Sequence, residues 1–246
     1  MARHFFLEKN KIKKGRAFII GDEARHIATV LRRSAGDAIH LVDEDGCEYN
    51  AVIITSKEKR IEVALLEKHP PPKPSPRSII LGQALTKFQK MDYIVQKATE
   101  LGVSAIIPFI SSRCVLRLRD EQLRIKRLRW QKIARESTKH CGRRVVPPVE
   151  KVFSFQEMVQ SSGDNVLKII LWEDEKNTSL REVIRGSAIH HTMVLVGPEG
   201  GFSAQEVALA QHGGFHSVSL AGHILRTETA ALYVLSVLHY EWDMFP

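Results

Sequence analysis

The sequence predicts two domains of different class: a small β-barrel, then an α/β domain built on a mostly parallel sheet. Three observations lead there. At 246 residues the chain is longer than one core usually organises. Five of its ten prolines fall in His69-Pro-Pro-Pro-Lys-Pro-Ser-Pro-Arg77. The pattern of apolar residues also changes across that tract. The expected division is a barrel over 1–69, a linker over 70–77 and an α/β domain over 78–246.

Before the tract, Ala17–Ile20, Ala38–Val42, Tyr49–Thr55 and Arg60–Leu66 read as short strands separated by Gly, Asp and charged turns. Asp43-Glu-Asp-Gly46 is a hairpin turn. Asp22 to Arg33 reads as a helix capped by Asp22, with His26, Ile27, Val30 and Leu31 on one face. Proline fixes φ and removes backbone donors, so the tract is an extended, semi-rigid connector.

Beyond it strands and helices alternate, the pattern of a parallel sheet. The strands are Ser78–Leu85, Val103–Ile110, Val166–Trp172, Thr192–Val196 and Phe215–Leu220. Met91, Ile94, Val95, Ala98 and Leu101 line one face of a helix that ends at Gly102. A basic helix follows from Glu121 to His140, and a final one from Thr229 to Trp242. Three more helix starts carry the capping-box pattern: Ser154 with Glu157, Ser179 with Glu182, and Ser203 with Glu206.

Charge is concentrated. From Arg113 to Arg144 there are twelve Lys/Arg against three acids, a net of +9, so the rest of the chain sums to about −1 of the total +8. Such a patch fits a phosphate backbone. A second cluster, Arg3, Lys9, Lys11, Lys13, Lys14 and Arg16, lies near the N-terminus. Cys47, Cys114 and Cys141 form no Cys-x-x-Cys pair, which indicates neither a disulfide framework nor a metal site and fits a reducing cytoplasm. No apolar run is long enough to span a bilayer, and the N-terminal residues do not read as a secretory signal.

Two loops carry the chemistry: Leu195-Val-Gly-Pro-Glu-Gly-Gly-Phe-Ser203 and Ser219-Leu-Ala-Gly-His-Ile-Leu-Arg-Thr-Glu-Thr-Ala230. Each leaves an apolar strand and enters a helix, the place where open α/β sheets bind ligands. Glycines permit close approach of a ligand to backbone, and Arg226, Thr227, Glu228 and Thr229 exceed what a helix cap requires. Dinucleotide and P-loop fingerprints are absent, as are the zinc-protease and serine-hydrolase motifs. His190-His191 reads as a solvated pair, because neighbours near a strand point to opposite faces.

These two loops, together with Lys97-Ala-Thr-Glu-Leu-Gly102, closely resemble the RsmE family, bacterial 16S ribosomal RNA uridine-N3 methyltransferases of the SPOUT superfamily. The likeness spans essentially the whole chain, including Arg3-His-Phe-Phe6, Arg25–Arg32, Trp130–Ala134 and Gly142-Arg143. It implies an N-terminal PUA-like, RNA-binding β-barrel and a C-terminal SPOUT domain with a deep trefoil knot. It also implies a cytoplasmic homodimer that uses S-adenosylmethionine, with no metal and no membrane, and acts on 16S rRNA of the small ribosomal subunit. By position, the cofactor residues are Leu171, Gly197, Glu199, Gly201, Leu220, Leu225, Arg226 and Thr227. Three positions depart from the family pattern: Ala221-Gly222-His223 replaces Gly-Pro-Arg, His140 replaces a Gln, and Ser112 replaces a Glu.

Methylating uracil N3 requires in-line alignment and removal of a weakly acidic proton. Arg226 is expected to stabilise the developing uracil anion, and Glu228 is a further catalytic candidate. The base is left open among Glu199, Glu228, Glu136 and His140. Arg3, Arg32, Arg33, Arg113, Arg135 and Arg143 are expected to hold RNA. Two alternatives remain at this stage: a non-catalytic RNA-binding assembly factor, and a SPOUT enzyme acting on transfer RNA or on ribose 2′-OH.

Overall fold

The computed structural model describes residues 4–242 except 74, 117, 162, 164 and 221. Residues 1–74 cluster with 138–146, and residues 75–137 with 147–246. The stretch 138–146 thus joins the first unit from far along the chain, a return for which a linear pattern carries no signal.

In the first unit, β1 (His4–Phe6), β2 (Ile12–Lys13), β3 (Arg16–Ile20), β4 (Ala38–Val42), β5 (Glu48–Lys57) and β6 (Arg60–His69) form one sheet in the order β1-β4-β5-β6-β3-β2. All neighbours are antiparallel except β1 and β4, which are parallel. Period-two burial builds it. Tyr49, Ala51 and Ile53 of β5 and Ile61 and Val63 of β6 turn inward and pack with Ala24 and Ile27. Each large side chain so buried contributes about 1.5–3 kcal/mol. The edge strands β1 and β2 have three and two residues, too few to show a period.

The Asp43–Gly46 turn joins β4 to β5 as expected. The buried Asp43 carboxylate accepts from Asp45 N–H (3.0 Å), Cys47 N–H (2.9 Å) and Tyr49 O–H (3.0 Å), and Gly46 takes φ +83°. The first helix differs from expectation. It starts as α1 (Gly21–Arg25) and continues as a π-helical turn, His26–Val30. Ile20 is its N-cap and Asp22 lies in the first turn, because Gly21 at φ +69° makes the bend without a side-chain cap.

The second unit holds β7 (Ser78–Ala84), α2 (Phe88–Glu100), β8 (Ala105–Ile110), most of α3 (Asp120–Cys141), β9 (Phe153–Ser154), α4 (Phe155–Gln160), β10 (Leu167–Leu171), α5 (Leu180–Arg185), β11 (His191–Val196), α6 (Ala204–His212), β12 (His216–Val218) and α7 (Thr227–Glu241). Its six strands are all parallel, in the order β12-β10-β11-β7-β8-β9. Helices cover both faces of such a sheet, so its central strands are apolar throughout, as in Met193-Val-Leu-Val196. All three capping boxes form, at Ser154, Ser179 and Ser203.

Candidate functional site

The chain crosses from β7 outward to β8 and β9, then returns to the other side of β7 for the remaining three strands. The carboxyl ends of β10, β11 and β12 open into a cavity of about 700 Å³. That volume is in the range of small-molecule clefts, roughly 300–1,000 Å³. Leu171, Gly197, Glu199, Gly201, Leu220, Leu225, Arg226 and Thr227, the residues expected from the sequence, all line it.

The loop after β11 is held at both ends. Phe202 is 1% exposed and stacks on Phe109 at 6.2 Å, and Ser203 caps α6. Glu206 closes that capping box and also accepts from the N–H and hydroxyl of Ser112, each at 2.8 Å. Burial pushes its pKa up, but hydrogen bonds from Ser112 and Ser203 outweigh this and hold it below the usual carboxylate range. Between these anchors Gly197 and Gly201 let neighbouring groups pack where a Cβ would collide. A Cβ on Gly197 would sit 3.3 Å from Gly201 C and from the Phe202 ring. Gly201 takes φ +66°, and a Cβ there would overlap the Glu173 carboxylate.

The loop after β12 is pinned to its neighbours. Ser219 donates to Thr178 O at 3.1 Å and accepts from Leu180 N–H at 3.4 Å. Thr227 then donates to Gly197 O at 2.6 Å and accepts from Gln83 Nε2 at 3.1 Å. This explains why α7 begins at Thr227 rather than Thr229, with Arg226 as N-cap and no side chain capping it. The hydroxyl that looked available for capping is committed across the cavity floor. Thr227→Val keeps the shape but removes both bonds. Leaving half-buried Gly197 O and buried Gln83 Nε2 each short of a partner should cost about 1–3 kcal/mol in urea denaturation.

The charged groups divide sharply. Lys90, from the first turn of α2, lies 3.4 Å from Glu199 and 3.2 Å from Glu228. Burial raises the Glu199 pKa, but its own and the Lys87 N–H groups and the Lys90 ammonium lower it further. Glu228, expected among the catalytic groups, does not line the cavity; it lines a shallow groove with Tyr93, Leu232 and Tyr233. Helical rotation explains this: Thr227 and Ala230 face the cavity, and Glu228 is a third of a turn away. The sequence reading missed Lys90, Glu173 and Glu175, which line the cavity from outside the two loops.

The RNA candidates are scattered. Arg32 and Arg33 are exposed on the first unit, with Arg32 at φ +53° where the helix ends. Arg143, also in the first unit, is half-buried, and burial pulls its guanidinium pKa down. Arg135 is exposed on α3. Arg113 donates to Gly200 O at 2.9 Å, so it braces the loop after β11. Arg3 and Ala221 lie outside the described residues. Among the described residues no group of three or more His, Cys, Asp or Glu is arranged to hold a metal, and no helix is long and apolar enough to cross a membrane.

Comparison with known proteins agrees with this architecture. Residues 73–239 match the RNA methyltransferase domain model and residues 19–66 the RNA methyltransferase PUA domain. Ribosomal RNA small subunit methyltransferase E of Bacillus subtilis is 33% identical, over 99% of this chain and 98% of its own. The Aquifex aeolicus protein of the same name is 29% identical, over 96% and 98%. Among solved structures, that of ribosomal RNA small subunit methyltransferase E from Neisseria gonorrhoeae bound to S-adenosyl methionine superposes with a TM-score of 0.88, at 30% identity over 100% of both chains. A putative methyltransferase from Legionella pneumophila in complex with the cofactor SAM gives 0.87 at 30% identity, over 98% of both. With that coverage at both ends, and the two signature loops meeting at one cavity, the chain belongs to the ribosomal RNA small subunit methyltransferase E family.

Proposed function

We propose that this chain is an S-adenosylmethionine-dependent methyltransferase that modifies N3 of a uridine in 16S rRNA of the small ribosomal subunit. The observation that carries this is the cavity of about 700 Å³ that the two signature loops wall at the carboxyl ends of β10, β11 and β12. The residues fit the cofactor. Leu171, Leu220 and Leu225 offer apolar surface for an adenine ring, and the backbone of the loops that line the cavity offers hydrogen-bonding groups for a ribose. When bound, the cofactor supplies an electrophilic methyl group: the S–CH3 bond breaks with its electrons returning to sulfur, while the N3 lone pair forms the new N–CH3 bond.

The chain's own residues align and stabilise. Arg226 lines the cavity at the start of α7, where its guanidinium is available to the oxygens of a uracil losing its N3 proton. Lys90 holds Glu199 ionised, which makes Glu199 a weak base, and Glu228 is drawn to the same ammonium; the base is therefore unassigned. N3 is on the Watson–Crick edge, so the target must be unpaired or extruded. The first unit, as a PUA-like barrel, would hold flanking phosphates at Arg3, Arg32 and Arg33, and the second at Arg113 and Arg135, with Arg143 a weaker candidate because it is half-buried.

The reading includes a trefoil knot in the last segment, which hydrogen bonds between Ser219 and residues 178–180 and from Thr227 to Gly197 hold beside the loops it would thread. On the outer side of α7, Tyr233 (42% exposed) and Tyr240 (82%) join Tyr93 (45%) in an apolar strip that supports docking of a second copy in a cytoplasmic homodimer.

Calorimetry with S-adenosylmethionine, followed by mass mapping after incubation with small ribosomal subunits and with transfer RNA, tests the reading. Expected are saturable cofactor binding and one methyl group on a uridine base of 16S rRNA. Methylation of transfer RNA or of a ribose hydroxyl, or no binding at millimolar cofactor, would overturn it.

A further inference from the structure

Among the described residues three carboxylates line the cavity, and two of them are already committed. Glu175 accepts the N–H groups of Asn177 (3.0 Å) and Thr178 (3.3 Å) and shapes the turn after β10. Glu199 is bound by Lys87 N–H and Lys90. Glu173 has no hydrogen bond or ion pair among the described residues. Its carboxylate lies against Gly201, in the place a Cβ would fill. The negative charge therefore stands at the cavity wall against the signature loop, and no lysine or arginine among the described residues pairs with it.

A solvated carboxylate at a cavity wall, with no cation of the protein paired to it, is free to meet the positive charge of a ligand. On the reading of the cavity given above, the cofactor brings two. Its ammonium belongs to an α-amino acid whose own carboxylate needs a cation alongside; Lys176 and Arg226 line the same cavity, and neither pairs with Glu173. Its sulfonium is an isolated charge with no hydrogen to donate, so it needs only a nearby negative group. We propose that Glu173 reads the sulfonium charge, so that the cavity holds S-adenosylmethionine in preference to S-adenosylhomocysteine. Methyl transfer turns the sulfonium into a neutral thioether, and the same carboxylate then no longer retains the product. Glu173 acts on binding and release, while Arg226 acts on the uracil.

The test is calorimetry of the full chain and its Glu173→Gln variant with three probes: S-adenosylmethionine, S-adenosylhomocysteine, and sinefungin, which carries a charged amine in place of the sulfonium. The substitution is isosteric and on an exposed side chain. The expected result is roughly a fivefold loss for the two charged probes, the scale of one partly screened charge pair, and less than about a twofold change for the neutral one. Equal losses for all three probes would mean that Glu173 binds the shared ammonium or merely shapes the wall, and would overturn the proposal. So would no loss at all. Wild-type protein that binds none of the three overturns the proposed function and this proposal with it, whereas normal wild-type binding with an unmoved ratio overturns only the role of Glu173.

Discussion

Arg226→Ala is expected to lower kcat by about 100-fold or more while leaving affinity for S-adenosylmethionine within a few-fold. Losing a donor aimed at a charge that develops only in the transition state costs turnover rather than ground-state binding. The substitution is local: the first bond of α7, from Ala230 N–H to Arg226 O at 2.8 Å, uses backbone, and Thr227 still ties the helix start to Gly197. Single-turnover methylation of small subunits and cofactor titration measure the two quantities separately. Full turnover with normal cofactor affinity would remove Arg226 from the chemistry, and a parallel fall in both would make it a binding residue only.

Glu206→Ala should cost about 3 kcal/mol of stability, because an 8%-exposed carboxylate that accepts from Ser112 and Ser203 is replaced by nothing. The backbone N–H groups of both serines lose their acceptor, and the loop after β11 loses its brace. The pH dependence follows from the lowered pKa. A carboxyl that ionises more easily when folded contributes stability that is complete above the unfolded value, about 4.3. That contribution fades as pH falls through the lower folded value. Denaturation of wild type and Glu206→Gln should therefore differ most near neutral pH and converge in acid. A gap that widened on acidification would contradict the assignment.

Much of this architecture is written locally. Three capping boxes could be read from Ser and Glu three residues apart, because cap and acceptor are neighbours in the chain. The two loops could be read because glycine, proline and polar residues interrupt apolar runs there. Lys90 could not: it lies on the polar side of a well-formed amphipathic helix, where any lysine looks solvated, and only the fold brings Glu199 and Glu228 to it. Glu173 follows a strand, where polar residues are ordinary. Its proposed role rests on the absence of partners among the described residues, which only three dimensions reveal. The shifted start of α7 has the same origin, since a threonine hydroxyl looks alike whether it caps its own helix or reaches a carbonyl thirty residues away.

The strand order has a consequence for synthesis. β12 lies at the sheet edge beside β10, and the segment after it bonds to both Thr178 and Gly197. As the chain leaves the ribosome, the first unit's sheet and β7 to β11 can assemble while the cavity still lacks a wall. Domains form in the order of synthesis, but this site closes only after residue 230 has emerged. Unfinished chains therefore lack the cavity even when the first unit and the earlier strands have formed, and the ability to methylate arrives in a single late step.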